Sequence, residues 1–317
     1  MLLVIVGHSM CFWGGSWFTG DPIGIVLPLI WVADWLNSFH MSGFVLVSGY
    51  LYRYLRYECE KYGDWGLFIK NKAKRLLVPY IPFSIGFLSY GFVDVVKNFA
   101  FGISPGQLWF LLMLFCVFII FYSLSDFFER KNFWGAVSCL AIYGIGIIGS
   151  SFVPNFFQVF RACSYLPMFW IGFKIRQYGS GFLRKIPTIV WLSVDIALFI
   201  FVKYMEKYDG VFFTLIWLGV KFVLHIVGAL MAFIILQKIA DHVKWEDNKF
   251  FRLLSKNSMP IYLFHQQVVY LIIYWLNGVL NPYIHATVNF IGAMLISLVI
   301  SLLMMKFKWT RFMIGEK

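Results

Sequence analysis

The feature that most constrains this chain is a series of ten apolar stretches, near residues 1–13, 38–55, 77–96, 106–124, 134–152, 158–175, 187–202, 212–237, 258–277 and 286–305. A helix that crosses a bilayer needs about 20 mostly apolar residues, and most of these stretches meet that requirement. They leave the chain 61% hydrophobic and 13% charged, against roughly 45–50% and about 25% for an ordinary soluble domain. A water-soluble globule would have too little polar surface to cover so much apolar side chain, which argues against a soluble enzyme and against a disordered chain. The expected fold is all-α: a polytopic integral membrane protein of about ten transmembrane helices, forming one membrane domain over residues 1–317.

A formal net charge of +12 would point to nucleic acid in a soluble protein. Its placement points elsewhere. With a cytoplasmic N-terminus, the loops at 53–75, 125–133, 174–186 and 238–257 and the tail from 306 all lie inside, and together they hold 22 of the 27 Lys and Arg residues. The outer connections hold Lys97, Arg161, Lys203 and Lys207, and Lys221 falls within a span. That asymmetry is the positive-inside pattern, so both termini are expected in the cytoplasm and a nucleic-acid partner has nothing left to explain. Five cysteines without CxxC spacing read as small buried hydrophobes, with no disulfide framework and no metal site expected.

The first stretch stops near Trp13, before Gly14 and Gly15. Thirteen residues rise only about 20 Å, short of a hydrocarbon core of about 30 Å. It lacks the basic start and cleavage site of a signal peptide, and is expected to be the outer part of a truncated helix.

Ionisable and imidazole side chains inside a bilayer are costly unless they face a cavity or a partner, which marks His8, Asp195, Lys221, His225 and His265 for function, with His40 at the outer edge of its span. For each histidine the bland alternative is a packing residue bonded to a neighbouring helix. Asp195 and Lys221 lie at similar depth below the outer ends of their spans, which predicts a structural ion pair. His225 follows Lys221 by one helical turn on the same face.

Five local patterns are more specific: Val6-Gly7-His8-Ser9; Phe39-His40-Met41-Ser42-Gly43-Phe44, followed by Val47-Ser48-Gly49-Tyr50-Leu51; the basic run Lys70-Asn71-Lys72-Ala73-Lys74-Arg75 leading into Leu76-Leu77-Val78-Pro79-Tyr80; Gln107-Leu108-Trp109-Phe110-Leu111; and Ser258-Met259-Pro260-Ile261-Tyr262-Leu263-Phe264-His265. In this order and on ten spans they resemble acyltransferase family 3, and within it the stand-alone fucose 4-O-acetylase-like members that lack an appended SGNH domain. The resemblance runs from His8 to the end of the last span. It implies a membrane O-acetyltransferase of a bacterial cytoplasmic membrane, moving acetyl from cytoplasmic acetyl-CoA to a sugar hydroxyl of a capsule, O-antigen, exopolysaccharide or similar lipid-linked glycan.

Within that resemblance His8 matches the family's catalytic histidine. The chemistry agrees, since a side chain with a pKa near 6.5 is suited to take a hydroxyl proton and contributes about 10²–10⁴-fold. The family also carries a basic residue eleven positions before this histidine, which here would precede Met1. An RxxR pattern at the mouth of the third span is thought to meet the CoA phosphates; Lys72 and Arg75 match it as KxxR, with Lys74 beside them, although a lysine supplies a point charge without the arginine fork. The alternative for all three is a topology-setting charge at the membrane surface, with the phosphate role preferred for Arg75.

His40 and Ser48 fall about 12 Å apart on nearly one face of a continuous helix and could line a route from the outer surface. Gly43 and Gly49 would permit close helix approach. Trp109 suits either an aromatic belt or sugar stacking, and Tyr262 and His265 could line the cavity or pack. A glycan-lipid transporter or flippase also fits ten spans with interior charges, as does an inactive membrane subunit of a glycan-assembly complex.

Overall fold

The computed structural model describes residues 1–15, 22, 24–85, 96, 99–103, 106–243 and 247–316. Among these residues lie thirteen α-helices, joined by short 3-10 and π turns. The first, α1 (Leu2–Cys11), runs on through a 3-10 turn at Phe12–Gly14, and α2 (Leu27–Arg53) ends in a π-helical turn at Tyr54–Glu58. Then come α3 (Trp65–Ile85), α4 (Trp109–Arg130), α5 (Asn132–Phe152), α6 (Val159–Tyr178), α7 (Gly181–Lys185), α8 (Thr188–Met205) and α9 (Val211–His242). The chain closes with α10 (Lys249–Lys256), α11 (Ser258–Leu276), α12 (Pro282–Met304) and α13 (Lys308–Met313).

Five helices, α4, α5, α8, α9 and α12, are long and apolar enough to cross a bilayer by length and composition. The chain is an integral membrane protein. The remaining apolar stretches fall on α1, α2, α3, α6 and α11, although the third runs on into residues 86–95, which lie outside the described residues, as does Lys97. The second stretch was expected from residue 38, yet α2 begins at Leu27. Its added turns hold Asp34 and Trp35, which hide the helix in a hydropathy reading. Both polar groups have partners: Asp34 meets the Lys203 ammonium at 2.8 Å, and Trp35 donates to Asp195.

The chain divides into two compact units. The first, residues 1–44 and 179–301, contains α1, the start of α2, α7 to α11 and most of α12. Its core joins Ile5, Phe12 and Trp13 to Leu254, Ile261, Val268, Val269 and Ala293, so α1 packs against α11 and α12. Gly228 of α9 lets three helices close up: a Cβ there would stand 2.5 Å from the Phe39 Cβ and 2.8 Å from Asp195 Oδ1.

The second unit, residues 45–178 and 302–317, contains the rest of α2, α3 to α6, the end of α12 and α13. Its core is aromatic, with the buried Tyr52 ring 5.6 Å from Phe121, 5.6 Å from Phe169 and 5.8 Å from Phe68. Gly49 of α2 lies directly against the Phe169 carbonyl of α6, a contact no side chain would permit, whereas Gly43 meets nothing within 4 Å. The close-approach role expected of both glycines therefore belongs to Gly49.

Candidate active site

The first unit places three histidines together. His8 comes from α1, His40 from α2 and His265 from α11. The His8 Nδ1 lies 2.9 Å from His265 Nε2, with the two ring planes 14° apart. The His40 ring stands edge-on to His8, 6.5 Å between centroids. One turn of α11 supplies the next link, because His265 Nδ1 lies 2.7 Å from the backbone carbonyl of Tyr262. His40 Nδ1 is bonded in the same way to the Leu36 carbonyl of its own helix, also at 2.7 Å.

These bonds assign the protons. A carbonyl only accepts, so His265 carries its proton on Nδ1, and in the neutral ring its Nε2 is then an acceptor. The only group that can donate across the 2.9 Å contact is His8 Nδ1–H. Neutral His8 therefore keeps its lone pair on Nε2. Exposure separates the two rings: His265 is 0% exposed, whereas His8 is partly exposed.

Around the histidines the unit is polar and buried. Ser9 donates to the Ile5 carbonyl at 2.6 Å, and Asn289 reaches the Ser9 carbonyl at 3.5 Å. His285 is fully buried against the edge of Trp13, with ring centroids 5.5 Å apart. Neither Asn289 nor His285 was singled out from the sequence; their i, i+4 spacing in the last apolar stretch was the available signal. A cavity of about 1300 Å³ lies in this unit, walled by Leu3, Leu36, Phe39 and Met231, with Arg252 and Lys256 among its few polar lining groups.

The expected Asp195–Lys221 ion pair is not formed. Asp195 is 0% exposed and accepts from Trp35 Nε1 at 2.7 Å, while its Oδ1 has no partner among the described residues. Lys221 instead lies over the Trp217 ring, 4.1 Å from its centroid. Equal depth in two helices fixes height but not the direction around each helix axis, and the indole offered the nearer donor.

The second unit holds the remaining expected residues. Lys72 is enclosed by rings: its Nζ lies 3.8 Å from the Phe118 centroid, 5.0 Å from Tyr62 and 5.6 Å from Phe68. Burial, with Arg75 as a further repulsive charge, lowers this ammonium to about 7. Arg75 is exposed, and Lys74 approaches the Phe312 ring of α13 at 5.7 Å. Ser48 is half-buried in α2. The Arg161 guanidinium covers one face of Trp109 at 4.5 Å from the ring centroid, leaving less aromatic surface for a sugar. Other cations of this unit meet carboxylates, as in the Arg176–Glu58 fork at 2.9 and 2.5 Å and the Arg53–Glu129 pair at 2.9 Å. Arg176 holds the Glu58 carboxyl below its ordinary range through that hydrogen bond.

Among the described residues no group of three or more His, Cys, Asp or Glu side chains could hold a metal ion. No curated protein and no solved structure matches the chain. The profile of an acyltransferase domain, that of acyltransferase family 3, matches residues 1–306 and so takes in both units and every candidate residue named above. With nearly its whole length covered by that match, this helical membrane protein belongs to acyltransferase family 3.

Proposed function

We propose that the protein is an O-acetyltransferase that moves acetyl from cytoplasmic acetyl-CoA to a sugar hydroxyl of a cell-surface or exported glycan, with His8 as the general base. The observation that carries this reading is the partly exposed His8, whose hydrogen bond to His265 leaves Nε2 as its basic nitrogen. The reaction needs one base at one point. His8 Nε2 accepts the hydroxyl proton as the oxygen attacks the thioester carbonyl, the new C–O bond forms and the C–S bond breaks. The departing CoA thiolate then takes the proton back from His8, so no proton is consumed.

Other features fit the roles. Lys72, Lys74 and Arg75 stand at the start of the third apolar stretch, where the positive-inside pattern puts the cytoplasm, and would meet the CoA phosphates. Of the three, Arg75 is the exposed one and the best placed to bind an anion bidentately. Of the residues expected on the acceptor side, His40 and Tyr262 belong with His8 to the first unit, and Ser48 and Trp109 to the second. Ten spans with both termini in the cytoplasm is the topology this scheme requires.

The test uses membranes from cells expressing the protein, supplied with acetyl-labelled acetyl-CoA. Label appearing as alkali-labile ester on the extracted glycan is the expected result. A normal yield of glycan without label would remove the proposal. Loss or accumulation of the glycan itself on deleting the gene would favour a transporter.

A further inference from the structure

We infer that His265 is a positioning residue for His8: it holds His8 in the Nδ1–H tautomer and makes Nε2 the nitrogen that meets the acceptor hydroxyl. This rests on the reading of His8 as the base. Free imidazole side chains in water favour the opposite tautomer, with the proton on Nε2, which would put the His8 lone pair on Nδ1, facing His265. The Tyr262 carbonyl, 2.7 Å from His265 Nδ1, sets the direction of the whole chain. It fixes the His265 proton, which fixes the acceptor at His265 Nε2, which in turn fixes the donor at His8 Nδ1, 2.9 Å away.

The arrangement does the work of the aspartate in a Ser-His-Asp site with a neutral group. When Nε2 takes the hydroxyl proton, His8 becomes an imidazolium. Its Nδ1–H bond to His265 becomes charge-assisted and strengthens at the moment the charge develops. A carboxylate at that place would be an ion in an apolar helix bundle at every stage of the cycle, whereas an imidazole costs little when His8 is neutral. His265 does not itself meet the substrate, being 0% exposed.

The test combines nitrogen NMR of ¹⁵N-histidine-labelled protein in nanodiscs with kinetics of three full-length variants. The wild-type spectrum should contain one Nδ1–H, Nε2-unprotonated histidine that disappears in His8→Ala and another that disappears in every His265 variant. His265→Gln keeps an acceptor near the Nε2 position and should preserve the His8 signal; His265→Leu should lose it. In rate, His265→Leu should lower kcat about 10²-fold with the acetyl-CoA KM within about threefold, and His265→Gln should recover about tenfold of that loss. A His265→Leu protein with the His8 tautomer and kcat of the wild type would overturn the inference while leaving His8 as the base. Full activity in His8→Ala would instead remove the base itself. If His265→Leu does not fold, a wild-type His8 protonated on Nε2 overturns the assignment alone.

Discussion

The two units place the polar groups that the sequence singles out in different surroundings. In the second, cations lie against rings or carboxylates: Lys72 among three rings, Arg176 on Glu58 and Arg53 on Glu129. In the first, beside ion pairs such as Asp34–Lys203, the histidines are joined as neutral donors and acceptors: His8 to His265 and His265 to the Tyr262 carbonyl. Ring faces and carboxylates hold a charge still. A chain of neutral hydrogen bonds holds a proton in a chosen place and lets it move, which is what acyl transfer to a hydroxyl demands. The contrast teaches where in this family member to look for chemistry and where for anchoring.

The largest effect that would sharpen the contrast concerns Asp195. Trp35→Phe removes the one donor that a fully buried carboxyl has among the described residues, and should lower stability by about 1–3 kcal/mol, seen as a fall in the detergent-solubilised melting temperature. If Asp195 were held by a cation, Trp35→Phe would leave the melt unchanged and an exchange of Asp195 and Lys221 would restore folding; neither is expected.

Next in size is donor binding. Arg75→Ala should raise the acetyl-CoA KM about tenfold while kcat changes less than threefold, since an exposed guanidinium contributes to binding and not to the bond-making step. An unchanged KM would confine Arg75 to topology and shift attention to Arg252 and Lys256 at the apolar cavity of the first unit.

Lys72 predicts a pH dependence with two signs. Its folded-state value of about 7 lies below the ordinary 10.5, so between those values the folded protein binds fewer protons than the unfolded chain, and Lys72 makes stability rise with pH across that window. Phosphate binding needs the charged form and runs the other way. The acetyl-CoA KM should therefore rise about tenfold between pH 6.5 and 8.5, and Lys72→Arg, always charged, should flatten the rise. A wild-type KM that is level over this range would leave the ammonium as a packing group.

The smallest effect expected is from Lys221→Met. With the ammonium over Trp217 and no carboxylate within salt-bridge distance among the described residues, the melting temperature should shift by no more than a surface substitution shifts it, about 0.5 kcal/mol in stability. A loss of several kcal/mol would reinstate an ion pair.

Part of the candidate site was legible from residue types and local motifs. His8, His40, His265 and Tyr262 were singled out as imidazole or phenol groups on apolar helices, and they converge in the first unit. The bond between His8 and His265 was not legible, because 257 residues separate them and a motif carries no record of which helix will be its neighbour. The fold shows the same division. Apolar length located a helix at each stretch, but α2 started earlier because Asp34 and Trp35 interrupt the run and find partners only in three dimensions. Depth along a helix gave Asp195 and Lys221 the same height, and the angle around the axis, which hydropathy does not encode, gave Asp195 to Trp35. Lys72 and Arg75 share a helical face by spacing, yet one is enclosed by rings and the other exposed, a difference set by residues of α4 far from the motif.

The measurement closest to the central claim is the O-acetyl content of the surface glycan in cells carrying wild-type protein or His8→Ala at equal membrane abundance. The account predicts a fall of at least about 10²-fold in acetyl transfer for the variant with an unchanged melting temperature. A His8→Ala protein that acetylates as the wild type does would contradict it.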